Sequence, residues 1–546
     1  MSKYRMKVKG MTCTGCEIHV AKILAKANAL NIEVNYVKGE VSFELADKEH
    51  ITQLRNSFGI TNYKPGVIEE LQIAKENSVD HKTDFDLLII GSGSAAFSAA
   101  IKAAELGAKV GMIERNIVGG TCVNFGCVPS KTLLRAGEIN SLGKTNAFSG
   151  IKLSAQAVDL DSLMQQKNEL VNNLRNQKYV NLIDEYGIQL IIGAAKFISE
   201  NQIKVADQLY TSKRFLIATG ASSLIPKIKG LESVEYLTST TLLNIDKVPK
   251  RLLVIGSGYI GVELGLLYHN LGSEVILMQR SEEFLKEYDF EVSESLEESL
   301  IKQGIKIIKG VSYERVEQHN SIKSVHYTLN DESFTVEGEQ LLVATGRNPN
   351  TSSLDLEKAN VKTGVKNEII INELAQTSNP DIYAAGDVTL NPQFVYVAAY
   401  MGRLAAENAI GEKKLSLDLT VVPSVIFSHP SLATVGLTEK QAKENDYNVI
   451  TSVLKLGSVP RALVNHDTDG VIKLVADANT RKILGVHIVS ENAGEVIYAA
   501  TLVVKFGLTI ENLKETLAPY LTMAEGLKLA ALTFDKDISK LSCCAG

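Results

Sequence analysis

Residues 85–115 read FDLLIIGSGSAAFSAAIKAAELGAKVGMIER, and this stretch decides the fold. An apolar run typical of a buried strand leads into Gly91, Gly93 and Ala96, a helical pattern follows, and a second strand ends at Glu114. A strand, a glycine turn and a helix in one unit of about thirty residues form the context that a dinucleotide fingerprint requires. The glycines would let backbone amides approach a pyrophosphate at the helix N-terminus.

A second copy of this unit occupies residues 251–280, RLLVIGSGYIGVELGLLYHNLGSEVILMQR, with Gly256, Gly258 and Gly261 at the equivalent places. Two dinucleotide folds in one chain predict two bound dinucleotides. The sequence therefore indicates an α/β protein with two Rossmann-like domains.

The residues that end the second strand of each unit separate the two ligands. Glu114 can accept hydrogen bonds from a ribose diol, which suits the adenosine of FAD. The other unit ends in Gln279 and Arg280, and a guanidinium would pair with the 2'-phosphate of NADPH. An arginine after a strand is also common on protein surfaces, so NADH stays the alternative.

Length and charge limit the remaining possibilities. A chain of 546 residues exceeds a single hydrophobic core, so we expect several domains. The net charge of -6 gives no basic field, which makes nucleic acid an improbable partner. The sequence has no apolar run of roughly eighteen residues and no signal-peptide core at its start. We therefore expect a cytoplasmic protein without a membrane span.

The cysteines occur only in close pairs. There are six: Cys13 and Cys16, Cys122 and Cys127, Cys543 and Cys544. Cytosolic thiols are kept reduced, so such pairs favour metal binding or redox chemistry over structural disulfides.

The middle pair lies in GGTCVNFGCVPSKTLLRA, residues 119–136, directly after the first glycine unit. Cys122 and Cys127 could close a small disulfide ring at the start of a helix, where the helix dipole lowers a thiol pKa. The alternative is a pair of buried structural thiols.

Residues 1–70 predict a separate small domain in the order βαββαβ, followed by a polar linker over residues 71–83. Its GMTCTGC loop places Cys13 and Cys16 before a helix, which is a soft-metal site and resembles the heavy-metal-associated domains. A thioredoxin-like CxxC is the alternative, and the loop by itself does not name the metal.

From about residue 84 to its end the chain resembles the class I flavoprotein disulfide reductases. The resemblance rests on GGTCVNFGCVPSK, on ATG at 218–220, on ATGR at 344–347 and on NPDIYAAGDVT at 379–389. It implies a homodimer. The implied domains are an FAD domain over 84–230 and 346–419, an NADPH domain over 231–345, and an α+β dimerisation domain over 420–546.

The resemblance also implies site residues. Cys127 would form the charge-transfer thiolate, Cys122 would exchange with substrate, and Lys131 would lie by the flavin and pair with Glu263. The residues implied to contact the cofactors are Gly91, Gly93, Ala96, Glu114, Gly120, Thr121, Lys131, Thr219, Gly220, Gly256, Gly258, Gly261, Arg280, Gly346 and Asp387.

One departure from the family concerns its acid–base catalyst. The family has a His-Pro pair followed by Glu near the C-terminus, whereas LAPYLTMAEGLKLA keeps Glu525 and has Tyr520 in place of the histidine. A phenol with a pKa of about 10 is a poor proton shuttle at neutral pH, so reduction of an organic disulfide is doubtful.

That segment and the ending KLSCCAG resemble the Hg(II)-reducing members of the family. Hg(II) prefers two thiolates, so each cysteine pair could hold the ion and pass it on by ligand exchange. The resemblance implies NADPH-dependent reduction of Hg(II) to Hg(0) and mercury resistance, with Hg(II) arriving as thiol complexes or from thiol-bearing carriers. Cys543 and Cys544 would serve the Cys122–Cys127 pair of the other subunit.

The resemblance places Tyr179 and Tyr520 near the mercury site, although Tyr179 could be a helix-surface aromatic. His429 and His466 are assigned no role, because a lone histidine is more often structural. A disulfide reductase of the glutathione or thioredoxin reductase type, and a protein that only sequesters soft metals, remain the alternatives.

Overall fold

The computed structural model describes residues 2–11, 14–36, 38–45, 50–59, 61–71, 83–144, 146–155 and 157–537. The chain divides into two compact units, Met1–Lys82 and Thr83–Gly546. Among the described residues, no helix combines the length and the apolar character needed to cross a membrane.

The N-terminal unit has the predicted βαββαβ order. Its elements are β1 (Ser2–Lys9), α1 (Thr14–Lys26), β2 (Leu30–Asn35), β3 (Glu40–Leu45), α2 (His50–Asn56) and β4 (Lys64–Leu71). The strands form an antiparallel sheet in the order β2-β3-β1-β4. Alternate residues of β3 are buried, and Val41 and Phe43 face a core that includes Val20 and Leu24 of α1. This alternation is what a sheet covered on one face requires.

The second unit contains the remaining elements. Its first half has β5 (Phe85–Ile90), α3 (Ser94–Glu105), β6 (Val110–Glu114), α4 (Gly120–Asn124), α5 (Cys127–Lys144), α6 (Leu160–Arg175), a π-helical turn (Asn176–Val180), α7 (Asn181–Glu185), β7 (Gln189–Ile192), β8 (Ala195–Ser199), β9 (Gln202–Val205), β10 (Gln208–Ile217), β11 (Ala221–Ser223), α8 (Ser239–Leu242), β12 (Arg251–Ile255), α9 (Tyr259–Leu271) and β13 (Glu274–Met278). Its second half has α10 (Phe290–Lys302), β14 (Lys306–Ile308), β15 (Ser312–His319), β16 (Ile322–Leu329), β17 (Glu332–Gly338), β18 (Gln340–Val343), β19 (Arg347–Pro349), β20 (Ile382–Ala384), α11 (Val395–Ile410), β21 (Ser424–Ile426), β22 (Ser431–Gly436), α12 (Glu439–Glu444), β23 (Val449–Lys455), α13 (Pro460–Asn465), β24 (Val471–Asp477), β25 (Ile483–Ser490), α14 (Ala493–Lys505), α15 (Ile510–Glu515) and α16 (Glu525–Leu532).

Both glycine motifs lie in parallel sheets, as predicted. In the first sheet the parallel strands have the order β7-β6-β5-β10, with β20 also paired to β10, and β9 and β8 extend this sheet antiparallel. The second sheet has the order β14-β13-β12-β18. Strand β5 has both faces buried: Leu87 and Ile89 pack on one side with α3 and α11, and Leu88 and Ile90 pack on the other. A strand buried on both faces gives the continuous apolar run seen in the sequence.

The C-terminal part changes to an antiparallel sheet in the order β21-β22-β25-β24-β23. Every residue of β24 is buried, and residues of α14 and α16 belong to the core that includes it. On α14 the side chain of Tyr498 stays 68% exposed, and Phe506 just after the helix is 72% exposed. The expected α+β class is confirmed for this part of the chain.

Candidate functional site

One cavity of about 1900 Å³ connects the two glycine motifs. Gly91 and Gly93 line one end, Gly256 and Gly258 line the other, and Cys127 lies on the wall. A site for a single small ligand measures roughly 300–1,000 Å³, so this cavity has room for two.

The first glycine of each motif adopts a positive φ where two strands meet. Gly91 has φ +112°, and a Cβ there would lie 2.4 Å from the carbonyl oxygen of Ala218. Gly256 has φ +105°, and a Cβ there would lie 2.4 Å from the carbonyl oxygen of Ala344. Ala218 and Ala344 begin the ATG and ATGR motifs, so each of these short motifs packs against the glycine turn of one dinucleotide unit.

The second glycine of each motif caps a helix. Gly93 precedes α3 and Gly258 precedes α9, and within the described residues neither helix receives a side-chain cap on its first amides. A Cβ on Gly258 would meet nothing within 4 Å, so the space in front of α9 is open. Uncapped amides at a helix N-terminus, facing open space, suit a pyrophosphate.

The third position of each motif lies where the helix packs closely on its strand. Ala96 is fully buried among apolar neighbours, and a Cβ on Gly261 would lie 2.0 Å from the Gly256 carbonyl oxygen. Neither residue lines the cavity, so both act through close packing of the helix on its strand. A contact of Ala96 or Gly261 with a cofactor stays a prediction.

At the end of the second strand of each dinucleotide unit, a side chain accepts a hydrogen bond from a serine. This side chain is charged in the first unit and neutral in the second. The Ser92 hydroxyl donates to the buried Glu114 carboxylate, and the Ser257 hydroxyl donates to the Gln279 side-chain oxygen. Each pair is separated by 22 residues, which shows that the two units are structural equivalents. Arg280, next to Gln279, lines the cavity at this end. The Glu114 carboxylate therefore lies by the first glycine motif, and the Arg280 guanidinium lies by the second.

Asp387 lines the cavity and lies close to Arg347 of the ATGR motif. The Arg347 Nε atom is 3.4 Å from the Asp387 carboxylate. Burial raises the pKa of Asp387, and the guanidinium only partly opposes that rise. A half-buried carboxylate at the cavity wall is a suitable acceptor for the hydroxyl groups of a ligand.

The dithiol combines a thiol and a thiolate. Cys122 lies within α4 and Cys127 is the first residue of α5, and both are half-buried in the cavity wall. A hydrogen bond from the Cys122 thiol, helped by the positive charge of Lys131, lowers the pKa of Cys127 to about 7 against the opposing effect of burial. The same hydrogen bond, with burial, raises the pKa of Cys122. At neutral pH Cys127 is therefore about half ionised, and Cys122 keeps its proton.

Lys131 is held by a residue from the second dinucleotide unit. Its Nζ atom lies 2.5 Å from Glu263 and 4.5 Å from the ring centroid of Phe427. The backbone amide of Phe427 donates to the other oxygen of Glu263 at 2.9 Å. These contacts join α5, α9 and the segment after β21 directly beside the dithiol.

Tyr179 lies on the π-helical turn that follows α6. Its ring packs edge-on against Phe97 at 5.0 Å, and a Cβ on Gly119 would lie 3.4 Å from the ring. Burial raises the pKa of the phenol, and the two thiol groups contribute to the rise. Tyr179 is thus a half-buried neighbour of the dithiol and not an exposed aromatic on a helix surface.

Comparison with known proteins places this site in a family. Residues 85–402 match the model of the pyridine nucleotide-disulphide oxidoreductases, and residues 422–531 match the model of their dimerisation domain.

The chain belongs to the pyridine nucleotide-disulphide oxidoreductases.

Within this family the chain is similar over its whole length to mercuric reductases. It is 62% identical to the mercuric reductase of Lysinibacillus sphaericus and 59% identical to that of Staphylococcus aureus, with 100% of each chain covered in both comparisons. Among solved structures it is similar to the HOCl-induced flavoprotein disulfide reductase RclA of Escherichia coli, at 32% identity and a TM-score of 0.75. That match covers 83% of this chain and 100% of RclA.

Five further predicted residues also line the cavity of this oxidoreductase: Gly120, Thr121, Thr219, Gly220 and Gly346. The other predicted site residues do not lie at the cavity within one chain or fall outside the described residues. Tyr520 and Glu525 lie in the part that matches the dimerisation domain, and neither lines the cavity. One carboxylate oxygen of Glu525 is buried without a hydrogen-bond partner among the described residues. Cys16 belongs to the N-terminal unit. The predictions for Cys13, Cys543 and Cys544 fall outside the described residues.

Sequence reasoning missed Phe427, Ser92 and Ser257. Phe427 stands in the FSHP stretch beside His429, whose Nε2 atom lies 3.7 Å from the Asp467 carboxylate. The serines could have been found by aligning the two copies of GSG, because each is followed 22 residues later by its partner.

Proposed function

We propose that this chain reduces Hg(II) to Hg(0) at the Cys122–Cys127 pair, with NADPH as the electron donor and FAD as the bound redox cofactor. The observation that carries the proposal is the similarity to mercuric reductases along the entire chain. The half-ionised dithiol beside a cavity with room for two dinucleotides supports it.

The residues present fit both cofactors. The uncapped amides of α3, the buried Glu114 and Asp387 would hold FAD, and the open space before α9 with Arg280 would hold NADPH. Bound in these places, the cofactors would supply two electrons derived from the hydride of NADPH.

The dithiol itself accounts for binding of the metal ion. Hg(II) displaces the proton of Cys122, and the two sulfurs then hold the ion as a dithiolate. Addition of two electrons gives neutral Hg(0) and returns two thiolates. The neutral atom has no electrostatic attraction to sulfur and leaves. No leaving thiol needs a proton, which is consistent with Tyr520 in place of a histidine.

We further propose that the chain works as a homodimer in the cytoplasm. The exposed apolar residues on and after α14, in the part that matches the dimerisation domain, support self-association. Cys543 and Cys544 would collect Hg(II) from small-thiol complexes and deliver it to the dithiol of the other subunit, near Tyr179 and Tyr520. Cys13 and Cys16 would accept Hg(II) from thiol-bearing carriers.

A comparison of substrates tests the proposal. NADPH oxidation is measured with Hg(II) in thiol excess, with glutathione disulfide and with lipoamide. We expect rapid oxidation only with Hg(II). Faster turnover of either disulfide would favour the disulfide-reductase alternative, and no NADPH-driven flavin reduction would favour sequestration.

A further inference from the structure

The guanidinium of Arg175 links the helix before the turn that carries Tyr179 with α4, the helix that bears Cys122. Helix α6 ends at Arg175, and the π-helical turn that contains Tyr179 begins at the next residue. Arg175 Nη1 donates to the side-chain oxygen of Asn124 at 3.2 Å, and Nη2 donates to the side-chain oxygen of Asn172 at 2.7 Å. The Nη1 contact thus reaches across to α4, while the Nη2 contact stays within α6 and holds the rigid guanidinium in place.

Asn124 is the fixed end of this contact. It is the last residue of α4, two residues after Cys122, and is only 8% exposed. Its side-chain NH2 group donates to the carbonyl oxygens of Val118 and Gly120 at 3.0 and 2.9 Å. A flipped amide would put its oxygen against two carbonyl oxygens and its NH2 against the guanidinium. The side-chain oxygen of Asn124 is therefore held in an orientation that points it at Arg175.

We propose that Arg175 is a positioning residue that sets the place of Tyr179 relative to Cys122. The proposal deepens the proposed function and rests on it. Tyr179 lies on a π-helical turn, a geometry less regular than an α-helix, and such turns are frequent at functional sites. The link from Arg175 through Asn124 to α4 connects this turn with the helix that bears the exchanging thiol. The Tyr179 ring also packs against Phe97 and lies close to Gly119, the residue that precedes α4.

The test compares Arg175→Met with a control that changes the same charge elsewhere. Arg135→Met is that control, because Arg135 is exposed on α5 and pairs only with the neighbouring Glu138 among the described residues. Arg175→Met should raise the KM for Hg(II) roughly tenfold, as expected for loss of a charge-assisted hydrogen bond at a site. Its kcat should stay within twofold. Arg135→Met should match the wild type in both.

Two further readouts separate positioning from a general loss of structure. Titration of the Cys127 thiolate should be unchanged in Arg175→Met, because Arg175 is not among the groups that shift this pKa. In a Tyr179→Phe background, Arg175→Met should change KM less than twofold, because it acts through Tyr179. The same tenfold effect in both backgrounds, or a wild-type KM in Arg175→Met, would overturn the proposal.

Hydrogen exchange provides a measurement that does not depend on turnover. In the FAD-bound protein, the amides of residues 176–180 should exchange faster in Arg175→Met than in the wild type and in Arg135→Met. Unchanged exchange would refute the link, whereas a wild type that fails to turn over Hg(II) would refute the proposed function alone. If Arg175→Met does not bind FAD, Arg175→Lys, which keeps the charge and loses the two-pronged contact, is measured in the same way.

Discussion

Replacement of Lys131 by Met should make the Cys127 thiolate harder to form. Lys131 is the only cation among the groups that shift the pKa of Cys127, within the part of the chain that the structure describes. Methionine keeps much of the length and removes the charge. Glu263 then loses its partner at 2.5 Å, and its negative charge also opposes ionisation of Cys127. Both changes raise the pKa of Cys127 above about 7.

The size of the effect follows from the contributions that remain. An opposite charge nearby lowers a pKa by about 1–3, and the hydrogen bond from Cys122, the largest favourable contribution, is retained. We therefore expect a rise of about one, equivalent to about 1.4 kcal/mol. At pH 7 the thiolate would fall from about half of the reduced protein to about one tenth. The thiolate would then need a more alkaline pH, in the direction of a free cysteine thiol at about 8.5.

The assay is a pH titration of the reduced protein by thiolate absorbance. Glu263→Gln is the matched variant that should change the pKa of Cys127 in the opposite direction. It keeps an oxygen for the Phe427 amide and removes the negative charge. Its midpoint should move to lower pH than that of the wild type. Identical midpoints in wild type, Lys131→Met and Glu263→Gln would refute the idea that this ion pair tunes Cys127.

Three other predictions follow from the site. Arg280→Glu should raise the KM for NADPH at least tenfold and change that for NADH little, because a carboxylate would face the 2'-phosphate; equal changes in steady-state kinetics would remove Arg280 from this role. Replacement of Cys543 and Cys544 by Ala should leave NADPH-driven reduction of the dithiol intact and cut Hg(II) turnover more than tenfold in thiol excess, whereas full turnover would exclude delivery by these cysteines. Deletion of residues 1–70 should leave FAD binding and kcat with small-thiol complexes within twofold, because the chain divides after Lys82; an insoluble or FAD-free product would contradict this.

The fold was predictable because its main signals are local. A buried strand, a glycine turn and a helix occupy consecutive residues, and the positive φ of Gly91 and Gly256 is a requirement that the sequence displays directly. The same holds for the βαββαβ order of the first unit, which strand alternation reveals. The sequence also shows Ala96 at the third position of the first motif. Its packing role, however, depends on how closely α3 approaches β5, which the sequence does not show.

Contacts between distant segments were much less accessible. The Phe427 amide meets Glu263 across 164 residues, and Arg175 meets Asn124 across 51 residues. No periodicity or spacing links such partners, because each contact exists only after the helices have packed. The ionisation of Cys127 was predicted from the helix dipole, yet the hydrogen bond from Cys122 is its main cause.

The most direct test of the central claim measures Hg(0) released per NADPH oxidised, in the wild type and in Cys122→Ser and Cys127→Ser variants that retain FAD. We predict one Hg(0) per NADPH for the wild type, because each ion takes up two electrons. Each variant should lose at least a thousandfold in rate while its flavin is still reduced by NADPH. Release of Hg(0) at the wild-type rate by either variant would show that the metal ion is reduced elsewhere.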